Sequence, residues 1–417
     1  MKTQITSAKS KNFFNSILIL TYFLSCFNLF AQPKVFTTLT ENWVNGNWQN
    51  QSLQTNVYAG TNISQTLNQN WLPVTSVWEN VSQTSFTYTA NNVTQVISQN
   101  WDVNTNTWSN SQKILLTYNA SGKVLTTILQ SWVTNSWQNS SQILNTYDAN
   151  NYMNSTIYQS WVGATASWQN SLQFIITNNA AGLKTSEVIQ LWDNTTSTWN
   201  NYIRHTSTFD AANNELSLLT ETWTPATGQW ANTQRVINTY TAANKIATTT
   251  TQSYINNTWT NVSMDTSTYD INNHLTNLLS QNWSTAISAW VNNKQSLYNN
   301  GSDGTVTQII TQNWNATTSA WENSVRITYT YVPLAVENFN IKKDFTVFPN
   351  PASETLYLDN KNNYQVDKAT ISNMSGMKIL EQKESPSKID IQKLQNGVYL
   401  MEVYSNGNSY PYKFIKN

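Results

Sequence analysis

Cysteine is all but missing from this chain of 417 residues: Cys26 is the single one, and it lies in an apolar N-terminal stretch. No disulfide framework is therefore available to the mature protein. Histidine is nearly as scarce, with His205 and His274 alone, so the usual zinc ligand sets are absent. Charge is low, at 11% Asp, Glu, Lys and Arg, with 22 acidic residues against 22 basic ones. That balance excludes a basic nucleic-acid surface and a polybasic membrane surface. Glycine (11) and proline (8) are few, and neither a phosphate-binding glycine loop nor a serine-nucleophile elbow is present. The aspartates stand alone, without the spacing of a calcium loop. Scattered acids in a repeat are also poor ground for the paired carboxylates of a glycosidase. The expectation is a protein that is not an enzyme and uses no metal or cofactor.

What the chain has in quantity is aromatic side chains: 19 Trp, 20 Tyr and 13 Phe. So much apolar area separates it from a disordered, low-charge polar chain. At the N-terminus, Lys2, Lys9 and Lys11 precede a short apolar run from Ile17 to Phe30. This reads as a secretory signal over residues 1–31, cleaved between Ala31 and Gln32. The run is too short and interrupted to span a bilayer comfortably, so no transmembrane segment is expected in the mature chain. A lipoprotein reading rests on Leu24-Ser25-Cys26; Phe23 and the apolar residues beyond Cys26 speak against it.

The tryptophans are periodic. One series runs Trp48, Trp78, Trp108, Trp137, Trp168, Trp199, Trp230, Trp259, Trp290 and Trp321, in steps of 29–31 residues. A partner precedes each one, from Trp43 to Trp314, with Tyr254 standing in for Trp in the eighth unit. Every Trp of the protein belongs to one of these two series, so the chain contains a tenfold internal repeat. Asn follows the second Trp by two residues in all ten units. Gln precedes the first aromatic by two in eight of them, with Glu41 and Glu221 in the others. An apolar residue lies four before the first aromatic in nine units, Thr250 being the exception. Even spacings share one face of a strand, so each unit reads as a β-hairpin with Trp on both sides of its turn.

Pairing the arms about the turn sets Trp101 opposite Trp108 and Gln99 opposite Asn110. Hairpins laid side by side then form a Trp row and an amide row across one sheet. In the tenth unit, simple alternation puts Trp321, Asn323, Val325, Ile327, Tyr329 and Tyr331 on one face. The same count brings His205 into phase with Trp199, as a packed or rim residue. Because each Trp can bury about 150–250 Å², the rows are expected to turn away from solvent, with Trp43 and Trp48 as the exposed exceptions.

Between units, Asn supplies the left-handed turn residues that glycine supplies elsewhere, as at Asn150-Asn151, Asn213-Asn214 and Asn272-Asn273. Those junctions begin Tyr147-Asp148, Phe209-Asp210 and Tyr269-Asp270. Here residues 36–332 resemble the YD repeats of RHS-type β-shells, with Asn in place of the usual Gly. The resemblance implies a continuous antiparallel sheet that curls. The fold expected is all-β: ten tandem β-hairpin units over residues 32–332, forming a curled antiparallel sheet or shell. A five-bladed propeller is the second architecture. Residues 36–332 hold 13 acidic and 8 basic residues, so the surface is largely hydroxyl and amide, as suits an extracellular or carbohydrate-facing protein.

Composition changes after Pro333. Trp disappears, and 10 of the 22 basic residues fall between Lys342 and Lys416. Residues 333–344 read as a linker, followed by short alternating strands punctuated by Pro-Asn-Pro, Ser-Gly and Asn-Gly. The segment carries Phe348-Pro349-Asn350-Pro351, Gly376, Ile389-Asp390-Ile391, Leu394, Asn396-Gly397-Val398-Tyr399 and a final Lys413-Phe414-Ile415-Lys416. In this order the motifs resemble the type A C-terminal sorting domain of the type IX secretion system of Bacteroidota, with Met377 replacing the usual Lys. That resemblance implies a small β-sandwich at residues 345–417 that engages the type IX machinery. It also implies a protein that is secreted or held at the outer cell surface, following a Sec signal. Two roles follow for the repeat: an adhesive or structural body, or a module that binds surface polysaccharide or extracellular glycan.

Overall fold

The computed structural model describes residues 34–332, 345–360, 364–373, 378–383, 387–405 and 408–417. The signal segment, its cleavage site at Ala31 and Gln32, the linker and Gly376 lie outside these residues. Contacts divide the chain into two compact units, residues 1–332 and 333–417.

The first unit is one antiparallel sheet of twenty strands, starting with β1 (Val35–Val44) and β2 (Asn47–Ala59) and ending with β19 (Val306–Asn315) and β20 (Ala320–Tyr331). Its ends meet. β1 pairs with β20 from Val35↔Tyr331 to Asn42↔Val325, so the sheet is a closed barrel rather than an open curled sheet or a set of propeller blades.

Closure has a local cause. In every Trp hairpin the register shifts just before the Gln or Glu, as between Asn68 and Gln69, where Gln69 pairs with Asn80 but Asn68 pairs with Ser82. Val81 is the extra residue. A second shift accompanies each crossing between units, as between Thr87 and Tyr88. Bulges bend a strand and increase its twist, and two per unit, repeated ten times, curve the sheet until its edges join.

The first bulge also overturns the simple face assignment. After it, Arg326 pairs with Ile310 and Thr328 with Gln308, so Arg326 and Thr328 share the Trp face. Val325, Ile327, Tyr329 and Tyr331 move to the other one. His205 likewise leaves the Trp199 face and pairs with Glu187.

Turn chemistry follows the two Trp spacings. Where the Trp residues are five apart, a two-residue turn has both residues left-handed, as at Asn45 (φ 50°) and Gly46 (φ 80°). Where they are seven apart, a four-residue turn ends on one left-handed residue, as at Ser76 (φ 53°). At the junctions, the Oδ1 of Asp148, Asp210 and Asp270 accepts the N–H groups two and four residues on. The N–H groups of His274 and Asn272 hold the Asp270 carboxyl below its usual value. Asn151, Asn213 and Asn273 take the left-handed position. In seven units a Tyr hydroxyl at the end of the second arm donates to a carbonyl at the start of its own hairpin, as Tyr147 to Val124 (2.8 Å) and Tyr269 to Ile246 (2.8 Å); Phe209 has no hydroxyl to do so. Asn178 and Asn300 make the same bond through their amides.

The barrel has no single apolar core. Its buried apolar residues other than Leu53, which lies on the Trp face, form two small clusters, around Val93, Val96 and Leu116 and around Ile143, Tyr158 and Leu172, on the face opposite the Trp rows. Thr66, Thr84, Thr127 and Thr156 are buried on the same side. The second unit is different. Strands β21 (Phe345–Phe348), β22 (Thr355–Asn360) and β25 (Lys388–Asp390) form one sheet. β23 (Val366–Asn373), β24 (Lys378–Lys383), β26 (Gly397–Ser405) and β27 (Asn408–Lys416) form the other. Between them lies a dry core that includes Leu356, Ile371, Ile389, Met401 and Phe414, all at 0% exposure.

Two junction glycines lie against an aromatic ring of the preceding junction. A Cβ at Gly182 would collide with Tyr152, and one at Gly304 with His274. Both are left-handed (φ 79° and 82°), as is Gly46 (φ 80°), around which there is open space. Gly46→Ala is expected to cost only the backbone strain, about 1–2 kcal/mol. Gly182→Ala and Gly304→Ala should cost more, because a ring must also shift. Urea-unfolding midpoints check this; equal shifts at all three positions would contradict the packing described.

Candidate functional site

The two arms of each hairpin bring its aromatic pair into edge contact. All nine Trp–Trp pairs have ring centroids 4.8–5.0 Å apart with planes at 63–72°. Tyr254 and Trp259 meet at 4.9 Å and 56°. Such pairs contribute about 0.5–1.5 kcal/mol each beyond burial. The expected solvent exclusion does not occur. None of the nineteen Trp is buried and none is fully exposed, Trp43 and Trp48 included. Each indole spends one part of its surface on its hairpin partner and leaves another part in water, because the pairs flank the turns at the barrel rim.

Beside this row runs the amide row, in the expected register. In all eight units with Gln, its Nε2 donates to the Asn Oδ1, as Gln69 to Asn80 (3.0 Å), Gln99 to Asn110 (2.9 Å) and Gln312 to Asn323 (2.8 Å). The row continues into the neighbouring hairpin through a position that the bulge concealed: the residue five after the second Trp. Gln83 donates to Gln99 and Gln295 to Gln312, both at 2.6 Å. Arg235 donates to Gln252 at 2.6 Å.

The two units with Glu are those in which this neighbour is an arginine acting in bidentate fashion. Arg204 grips Glu221 at 2.7 and 2.8 Å, and Arg326 grips Glu41 at 2.6 and 2.7 Å. The same cations lie over an indole of the following unit. The ring centroid of Trp230 is 5.0 Å from Arg204, that of Trp259 is 4.5 Å from Arg235, and that of Trp48 is 4.8 Å from Arg326. Lys113 lies 4.9 Å over Trp137 instead of bonding, and the Oε1 of Gln130 is left without a protein partner. A sequence signal existed for this position. Four of the eight basic residues in the repeat, Lys113, Arg204, Arg235 and Arg326, stand five residues after a second Trp.

On the opposite face, Glu187 accepts from Lys184 (2.8 Å) and faces the His205 Nδ1 (3.0 Å). Burial raises its carboxyl, but the bonds from His205 and Lys184 outweigh burial and hold it below its usual value. The buried Tyr158 phenol is pushed up to about 12 by desolvation, with the Glu187 charge adding to the effect. Among the described residues no cluster of His, Cys, Asp or Glu is arranged to hold a metal.

The sorting motifs are spread over the second unit and perform different tasks. Asn350 lies in the loop between Pro349 and Pro351. It accepts from the Ile415 N–H (2.9 Å) and donates to the Lys413 carbonyl (3.0 Å), tying this loop to the last strand. Ala352 and Ile415 add a main-chain bond of 2.8 Å beside it. Lys416 is 8% exposed, whereas Lys413 is exposed. Leu394 is buried, and the Tyr399 ring stacks on Phe414 at 5.6 Å while its hydroxyl donates to the Gln395 carbonyl. Asn396 is exposed. Gly397 has room for a Cβ, with the Tyr399 ring 3.7 Å away.

Residues 346–417 match the family described as the secretion system C-terminal sorting domain. This segment is therefore the sorting domain of a type IX cargo. No curated protein matches the chain. Among solved structures, the chain is similar over 90% of its length to 20% of a chain in the TcdB2–TccC3–Cdc42 complex (12% identity, TM-score 0.34). Over 72% of its length it is similar to 98% of a porin-like protein from Bacteroides uniformis (8% identity, TM-score 0.30). Over 29% it is similar to 90% of a DUF3836 family protein from Bacteroides vulgatus (16% identity, TM-score 0.17). Scores this low carry no functional argument.

The Arg326–Glu41 pair joins the first unit of the barrel to the tenth. Replacing both residues by Ala should cost less than the sum of the single replacements, with a coupling of about 1–3 kcal/mol. Denaturant unfolding of the four-member cycle measures it. Effects additive within about 0.5 kcal/mol would show that the pair does not bind the seam.

Proposed function

We propose that the repeat barrel works outside the cell as a non-enzymatic adhesive or structural body, delivered there as a type IX cargo after a Sec signal has directed it across the inner membrane. The sorting domain indicates export to the surface or the medium. What supports the rest is closure: each of the twenty strands has a paired neighbour on both sides. A sheet without free edges resists pairing with other chains, which suits a protein exposed to crowded extracellular surroundings without disulfides. Several of its acids are also occupied. Glu41, Glu187 and Glu221 are ion-paired, and Asp148, Asp210 and Asp270 bind turn N–H groups. That use of carboxylates favours a structural role over hydrolysis.

One observation favours a glycan-binding reading alongside the structural one. The Trp row is half-open to solvent beside a row of amides, a combination of flat apolar surface and hydrogen-bonding groups suited to sugars.

Cells producing a chain that stops at residue 344 are expected to keep it in the periplasm, while the full chain reaches the surface or medium. Fractionation and immunoblotting measure this, and equal export of the two forms would contradict the role of residues 345–417. Cells lacking the protein should attach to surfaces less well than the parent; unchanged attachment would contradict the adhesive role.

A further inference from the structure

Where the barrel closes, the rim forms a shallow groove of about 580 Å³ lined by Trp43, Gln312, Trp321, Glu322 and Asn323. This falls within the range of small-molecule sites, about 300–1,000 Å³. We infer that this groove at the seam is a binding subsite for a neutral sugar unit of a polysaccharide. The inference deepens the extracellular role proposed above and rests on it for its biological setting, though not for its chemistry.

The walls are two indoles from different hairpins. Trp43 has its edge contact with Trp48 (4.9 Å) and Trp321 with Trp314 (5.0 Å), and both keep solvent-facing surface. An indole face with its negative quadrupole attracts the C–H groups on one side of a pyranose ring. Between the walls lie two amides whose oxygens are already engaged. Gln312 Oε1 accepts from Gln295 (2.6 Å) and Asn323 Oδ1 from Gln312 (2.8 Å). What remains to offer are N–H donors. An amide nitrogen has two hydrogens, and the Nδ2 of Asn323 donates to no protein group among the described residues. Hydroxyl oxygens of a sugar fit such donors.

Charge selects within that class. Arg326 and Glu41, on the same face as the indoles, neutralise each other through two bonds, so the pair offers an anionic sugar no free cation. Glu322 borders the groove, but its carboxylate is bonded to Asn315 Nδ2 (2.6 Å) on the other face of the sheet. One wall is also held before binding. Arg326 clamps Glu41, two residues from Trp43 on β1, and lies over Trp48, the edge partner of Trp43. Holding that indole in place reduces the ordering cost of association.

The test is affinity electrophoresis of the purified protein, residues 32–417, through gels containing laminarin, dextran, yeast mannan or, as the anionic comparison, alginate. Retardation by at least one neutral polymer and not by alginate is expected. Trp321→Ala and Trp43→Ala should weaken it at least tenfold, whereas Trp161→Ala in the fifth unit leaves it unchanged. Because seam variants can lose their fold, a second readout uses the unaltered chain. Oxidation by N-bromosuccinimide, mapped by mass spectrometry, should be slowed at Trp43 and Trp321 by the retarding polymer, and not at Trp161 or Trp168. No retardation by any neutral polymer, equal protection of all four indoles, or equal loss in the fifth-unit variant would overturn the site. If cells carrying folded seam variants attach normally while cells lacking the protein do not, the surface role stands and the groove has no part in it.

Discussion

The hydrogen bond from a Gln side chain to the Asn facing it, set beside an edge-on aromatic pair, is the constraint on which the barrel depends. It has one register. Sliding a strand by one residue would turn both the amides and the indoles to the other face, at the loss of an amide bond and an aromatic contact in each hairpin. Net hydrogen bonds contribute only about 0.5–1.5 kcal/mol each. The strength of the arrangement comes from repetition: eight Gln–Asn bonds and ten aromatic pairs ask for the same alignment of strands. This explains how a sheet with only small apolar clusters on its other face keeps a defined structure.

The bulge after each Asn has two consequences. It curves the strands toward closure, and it brings the residue five after the second Trp onto the Trp face. Gln at that position extends the amide row, while Arg and Lys there cover an indole of the next unit. Glu41 and Glu221 become intelligible in this light. They stand where Gln stands elsewhere because an arginine faces them from the neighbouring strand, and at β1–β20 that exchange ties the last repeat to the first.

Much of this was legible in the residues and some was not. The pairings Trp101↔Trp108 and Gln99↔Asn110 are as the spacing requires, because turn length alone sets them. The left-handed Asn151, Asn213 and Asn273 follow from the shortage of glycine, and the sorting domain follows from its motif order. The bulges are not legible, because one inserted residue leaves a polar alternation still looking like an alternation. Simple alternation therefore puts Val325, Ile327 and His205 on the wrong face. The half-open state of the Trp residues is hidden for a different reason. Area arguments treat an indole as wholly buried or wholly exposed, whereas an edge-on pair beside a turn satisfies only one flank of each ring. Closure is a sum of small curvatures over twenty strands, and no single unit records it.

Closure can be tested directly in a chain of residues 32–417, which contains no cysteine to interfere. Leu39 and Thr328 are cross-strand partners on β1 and β20, nearly three hundred residues apart in sequence. Ile309 and Ile327 are the corresponding partners within the last hairpin. Cysteines placed at Leu39 and Thr328 are expected to form an intramolecular disulfide on mild oxidation as completely as cysteines at Ile309 and Ile327, read as a mobility shift on non-reducing gels. A cross-link in the hairpin control with none between 39 and 328 would mean that the sheet stays open and that its rows do not run around a ring.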